Sequence, residues 1–221
     1  MKNRSFAVLG LGRFGSSVAN TLNSMGYEVL AVDKNEENVN YISEDITHAV
    51  LGDVTDEKVL HGLGLRNFDV AIVAIGEDLQ ASVLVTLLLK EIGIKHILAK
   101  AQSELHSRLL YKVGADRVVL PEKDMGVRVA HSLASTKIID LIELSSDYNI
   151  AEIIPPQGWA GNSLKELNLR AKYGINVIAV KQNSSIIISP KADYVINEGD
   201  LLVIIESNTD LEKLEKSNNH K

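Results

Sequence analysis

The sequence contains no cysteine. Disulfides, thiolate nucleophiles and cysteine-ligated metal are therefore excluded, and a reducing compartment is expected. No apolar run approaches the roughly 18 residues needed to cross a bilayer. The start is short and polar and runs into a strand-like segment at Phe6, so no signal peptide is expected. Basic residues are in deficit: 23 Lys and Arg against 29 Asp and Glu give a net charge of −6. Polyanions attract basic surfaces, so no nucleic acid polymer is expected as a partner. The sequence also lacks a GxSxG elbow, a Walker GxxxxGK[ST] loop and an HExxH pair. His48, His61, His96, His106, His131 and His220 stand in no zinc-ligand spacing. His96 precedes a strand and His106 lies on a helix, and both read as surface or packing residues. No catalytic residue is assigned.

Of the 221 residues, 45% are hydrophobic, enough to build real cores. At about 150 residues per domain, this length allows one large domain or two modest ones. The first two-thirds alternates short β-rich runs with helical patterns. Strands are expected at 5–10, 27–33, 47–52, 69–75, 95–100 and 117–120. Helices are expected at 13–25, 35–44, 55–63, 77–92, 104–113 and 123–136. Alternation with continuously apolar strands predicts an α/β fold, a Rossmann-like, doubly wound parallel sheet covered on both faces. After about residue 137 the pattern becomes strand-rich, with strands at 138–144, 150–154, 175–181, 185–189 and 201–206. Ser163 and Glu166 stand at capping-box spacing, and Thr209 opens a closing helix in the same way. This part reads as a small α+β domain ending in a frayed tail. The expected division is 1–137, a linker at 138–145, and 146–221.

The strongest motif is Gly10-Leu11-Gly12-Arg13-Phe14-Gly15. A GxGxxG string is weak alone, but here it follows a buried strand, opens a helix and precedes a second strand ending in Asp33. Gly10 permits a tight turn, Gly12 lets backbone approach a pyrophosphate, and Gly15 lets helix and strand pack closely. The helix N-terminus offers N–H groups and a positive dipole end to phosphates. Asp33 stands where a carboxylate accepts both ribose hydroxyls. It would repel a 2′-phosphate, which disfavours NADP, and it leaves NAD(H), ATP and ADP open.

Further candidates stand at strand carboxyl ends, where open α/β sheets bind ligands. Arg13 is a solvated helix residue or a cation facing a phosphate chain. Asp53 either caps the next helix or faces adenine. Lys100 is a snorkelling lysine or a phosphate or ribose contact. Glu122 is a helix-dipole carboxylate or a group at the crevice mouth. With Phe14, Asn35, Ile75 and Gly76, these residues complete the nucleotide-binding candidates.

The segment FAVLGLGRFGSSVANTLNSMGYEVLAVDKNEENV resembles the start of RCK domains, also called KTN or TrkA-N domains, which regulate potassium channels and transporters. The strand-four AIG, the AKAQ strand and the GADRVVLPEKDMG stretch agree with the same family. LNLRAKYGINVIAVKQ and INEGDLLVIIE resemble the RCK-C, or TrkA-C, domain. Within the family, the chain looks most like regulators of bacterial Ktr-type potassium uptake. The resemblance implies a cytosolic regulatory subunit, not an enzyme. Such a subunit self-associates as dimers in a ring, often an octamer, docked beneath a membrane potassium-translocating subunit at the inner face of the cell membrane. It implies ATP or ADP in the Rossmann crevice, with Gly10, Gly12 and Gly15 as phosphate loop and Asp33 as ribose acid. Arg13 then reaches the γ-phosphate in the adjoining subunit, and Asp53 and Lys100 lie on the adenosine side. Glu122 takes the place of an interfacial acid where a cation can sit.

The same resemblance implies a cyclic di-AMP pocket at a two-fold interface of the second domain. Leu164, Arg170, Asn176, Val177 and Pro190 fall at its positions. Read by themselves, Leu164 and Val177 are ordinary core candidates, Arg170 is a surface charge, and Asn176 and Pro190 are turn or edge residues. The alternatives to this regulator are a small NAD-dependent oxidoreductase and an NAD(H)-sensing regulator.

Overall fold

A computed structural model describes residues 4–46, 48–134, 138–145, 147–183 and 185–207. The chain divides into two compact units between Lys123 and Asp124. In the first, strands β1 (Ser5–Leu9), β2 (Glu28–Asp33), β3 (His48–Leu51), β4 (Val70–Val73), β5 (His96–Lys100) and β6 (Arg117–Val119) alternate with helices. These are α1 (Arg13–Ser24), α2 (Glu36–Ser43), α3 (Glu57–Gly62), α4 (Leu79–Ile92) and α5 (Glu104–Val113), while α6 (Pro121–Ala134) runs past the division.

Among the described residues the six strands form one sheet in the order β3-β2-β1-β4-β5-β6. Every adjacent pair is parallel. Successive side chains of a strand face opposite sides, so each apolar strand feeds two cores. Leu9, Val32 and Val73 pack with Val85, Leu89 and Leu110 of α4 and α5. Val8, Ala31 and Ile72 pack with Ala19, Val39 and Ile42 of α1 and α2 on the other side. Asn35, Asp56, Asp78 and Ser103 accept backbone N–H bonds at the starts of α2, α3, α4 and α5. These caps set where the helices begin.

The second unit holds β7 (Ile138–Glu143), β8 (Tyr148–Ile153), α7 (Leu164–Leu167), α8 (Leu169–Tyr173), β9 (Asn176–Gln182), β10 (Ser185–Ile188) and β11 (Leu201–Ser207). Its described strands form an antiparallel sheet in the order β10-β9-β11-β8-β7. Ile153, Ile175, Ile196, Leu202 and Ile204 are buried at its centre with Trp159, whose ring lies 5.7 Å from that of Tyr173. The Ser163–Glu166 capping box is formed reciprocally. The helix expected from Thr209 and the tail lie outside the described residues.

The domain division differs from the sequence expectation. The units part before residue 124, not at 137. Residues 138–145, read as a linker, contain edge strand β7, paired antiparallel with β8. Ile138 and Leu141 are buried in the core of the second unit, and that burial makes the segment part of the sheet. Among the described residues no helix is long and apolar enough to cross a membrane.

Candidate functional site

The strand order reverses between β1 and β4, so the chain leaves their carboxyl ends towards opposite faces and opens a crevice. A cleft of about 730 Å³ occupies this place, within the roughly 300–1,000 Å³ typical of small-molecule sites. Gly10, Gly12, Arg13 and Phe14 line it from the β1–α1 loop, and Asp33 and Asp53 from beyond β2 and β3. Ile75 and Gly76 reach it from the end of β4, Lys100 from β5 and Glu122 from the start of α6. The structure thus gathers all the nucleotide candidates except Gly15 and Asn35. Gly15 is buried beneath the loop, and Asn35 turns its side chain to cap α2.

The loop is shaped by its glycines. Gly10 has φ +99°, a conformation open to glycine. A Cβ on Gly15 would lie 1.8 Å from the Gly10 carbonyl oxygen, so only hydrogen fits there. Gly12 is different, because a Cβ there meets nothing within 4 Å. It stands at the N-cap of α1 and supplies no side-chain cap, and the first turn carries no acid. In α2 to α5 an Asn, Asp or Ser takes this place. The first-turn N–H groups of α1 are thus open to an anion from the cleft.

Asp33 is held by two backbone donors. Leu11 N–H donates to its Oδ2 at 2.5 Å and Asn35 N–H to its Oδ1 at 2.8 Å. Each oxygen keeps acceptor capacity for a hydroxyl. Asp53 accepts from the Thr55 hydroxyl at 2.7 Å and its N–H at 2.9 Å. These bonds hold the Asp53 carboxyl below its usual range. Capping of α3 falls to Asp56, which leaves Asp53 as a cleft wall.

At the other end, Lys100 Nζ lies 2.6 Å from Glu122 Oε1 and 5.9 Å from the Phe14 ring centroid. The Lys100 hydrogen bond, reinforced by the field of Arg13, holds the Glu122 carboxyl below its usual range. Arg13 is exposed at the mouth. Glu122 was also the candidate metal ligand. Among the described residues no group of three His, Asp or Glu side chains gathers to hold an ion, and Lys100 takes the Glu122 carboxylate instead.

Sequence reasoning missed Lys34, Asn38, Glu77 and Gln102, which also line the cleft. Their signal was available only as proximity to strand carboxyl ends. His106 is a packing residue: it is buried, its Nδ1 accepts from Gln102 N–H at 3.4 Å, and burial pushes its pKa down.

The second-unit candidates are spread over α7, α8, β9 and the turn after β10. Leu164 and Val177 are half-buried against the core, while Arg170 and Asn176 are exposed. Pro190 is half-buried just past Ser189, whose N–H donates to Ile178 O at 2.8 Å.

The two parts of the chain correspond to two known domain families. The TrkA-N domain model matches residues 6–121, and the TrkA-C domain model matches 150–218. The chain is 49% identical to Ktr system potassium uptake protein C of Bacillus subtilis, over 96% of each chain. It is 47% identical to Ktr system potassium uptake protein A of the same organism, over 97% of each. Among solved structures, the GsuK channel bound to NAD superposes with a TM-score of 0.68 at 23% identity, covering 97% of this chain and 39% of the GsuK chain. GsuK bound to ADP matches with a TM-score of 0.51 at 26% identity, over 59% of this chain and 33% of GsuK. With both domain models matched in order and near-half identity across almost the whole length, the chain belongs to the family of TrkA-N/TrkA-C proteins that includes the Ktr system potassium uptake proteins.

Proposed function

We propose that this protein is the cytosolic regulatory subunit of a bacterial potassium uptake system, binding ATP or ADP in the first unit to gate a membrane ion-translocating subunit. The observation that carries this reading is the convergence of the uncapped α1 turn, Asp33, Arg13 and Lys100 on one cleft, in a chain so close to the Ktr proteins. The structure of GsuK bound to ADP supports an adenine nucleotide as the ligand. A nucleotide supplies a polyphosphate chain and a ribose with free hydroxyls. Gly12 and the first turn of α1 present N–H groups to the phosphates, and Asp33 accepts the hydroxyls. Arg13, exposed at the mouth, is free to reach a phosphate held by an adjoining copy. A contact available to ATP and not to ADP then shifts the population between two arrangements of a dimer-built, octameric ring, and about 1.4 kcal/mol of difference is tenfold. A cation on Glu122 belongs to such an interface, because within one chain Lys100 holds that carboxylate. Cyclic di-AMP, bound between two copies by Leu164, Arg170, Asn176, Val177 and Pro190, biases the same equilibrium.

A second reading is an NAD(H)-sensing regulator. It uses the same cleft, since Asp33 suits the free ribose hydroxyls of NAD and ATP alike. Calorimetric titration of the full chain with ATP, ADP, NADH and cyclic di-AMP separates the two. We expect ATP and ADP binding to be lost in Asp33→Asn, and cyclic di-AMP binding to be lost only in Arg170→Ala. Strong NADH binding without adenine-nucleotide preference would replace the first reading by the second.

A further inference from the structure

The Lys100–Glu122 pair is unequal. The Lys100 side chain is 12% exposed and that of Glu122 is 71% exposed. The ammonium is enclosed by three elements of the cleft. The Phe14 ring lies on one side, the end of β4 at Gly76 lies close enough that a Cβ there would stand 3.4 Å from Nζ, and Glu122 meets it from the first turn of α6. A cation on a largely buried side chain meets less water than one on an exposed side chain, so it gains more from an anionic partner. An exposed carboxylate is solvated whether or not it is paired. Lys100 therefore gains more from the pair than Glu122 does.

Lys100 lines the same cleft as Gly12 and Arg13, where a phosphate chain would lie. A phosphate there and the Glu122 carboxylate are rival anions for one cation. Lys100 can turn more than one donor outwards, but the charge of Glu122 repels the phosphate while it holds Lys100. We propose that Glu122 is an affinity-setting residue, a built-in competitor for Lys100 that keeps nucleotide binding weaker than the basic residues of the cleft alone would make it. This inference rests on the nucleotide reading of the cleft. It assigns Glu122 a role inside one chain, separate from any cation at an interface.

The test is titration of the full chain, freed of divalent cations by chelation, with ADP and with ATP. Four proteins are compared: the parent, Glu122→Gln, Lys100→Met and the double variant. Glu122→Gln should bind both nucleotides about tenfold more tightly, the scale of one hydrogen bond to a charged group. Its affinity should also fall more steeply with salt, since a charge-assisted contact has been strengthened. Lys100→Met should bind more weakly, and adding Glu122→Gln to it should restore little, because the contested cation is gone. Glu122→Gln keeps the side-chain shape and an oxygen that still accepts from Lys100, and its melting temperature without nucleotide, measured beside the parent's, separates a loss of fold from an effect on binding. Unchanged or weaker binding by Glu122→Gln, with parent binding intact, overturns the proposal and leaves the nucleotide reading standing. No binding by parent and Glu122→Gln alike overturns both.

Discussion

The fingerprint glycines do three different jobs, and substitution separates them. A methyl on Gly15 collides with the Gly10 carbonyl, and Ala74 Cβ at 3.1 Å closes another side of this buried position. Gly15→Ala should destabilise the first unit by about 3 kcal/mol, the upper range of overpacking, seen as a lower melting temperature. A methyl on Gly12 meets no protein atom and stands where a phosphate would approach. Gly12→Ala should cost less than about 1 kcal/mol, the scale of alanine in place of glycine at an N-cap, and weaken ADP binding by about tenfold. Equal effects of the two variants on stability would contradict this division of roles. The motif itself was legible because each glycine answers a local backbone demand. The partner of Lys100 was not, since Lys100 and Glu122 are 22 positions apart and meet only when β5 and β6 pair.

At the scale of elements, caps and periodicity foretold most boundaries, while hydrogen bonding to a distant carboxylate decided others. Asp200 closes the 194–200 segment. Its Oδ2 accepts from Tyr194 Oη at 2.6 Å and Asn197 N–H at 2.8 Å, and its Oδ1 from Gln182 Nε2 at 3.0 Å. Burial pushes its pKa up, but these donors together outweigh burial and leave it below the ordinary 3.8. A depressed carboxyl stabilises the fold above the unfolded pKa, and that contribution is lost as pH falls through the folded value. The second unit should therefore lose stability below about pH 4, and more steeply than in Asp200→Asn. In that variant the acid-dependent part is absent and stability at neutral pH is already lower by about 1–3 kcal/mol. Thermal unfolding followed from pH 3 to 7 measures both, and parallel pH profiles would exclude the role. The turn at Glu198-Gly199-Asp200 was readable from composition, but the three donors on Asp200 were not, because Gln182 comes from another strand. Likewise β7 was strand-like in sequence, yet only pairing with β8 made it part of the second sheet and not a linker.

For the whole molecule, two compact units imply two separate responses. The cleft is built entirely from the first unit. ADP at 100 times its dissociation constant should stabilise that unit by about 2.7 kcal/mol. Amide exchange should slow in β1, β2, β4 and α1 while β8, β9 and β11 stay unchanged in a cyclic di-AMP-free sample. Protection spread equally over both sheets would show that the units respond as one body. The sequence by itself determined the fold class, the six parallel strands and the phosphate loop, because hydrophobic period, capping spacing and glycine geometry are local properties that a short window contains. Tertiary structure alone decided which strand ends share a crevice, that Asp53 walls the cleft while Asp56 caps α3, and that Glu122 faces Lys100. Those outcomes depend on strand order, which brings together residues up to 112 positions apart, from Gly10 to Glu122, and no local pattern records that order.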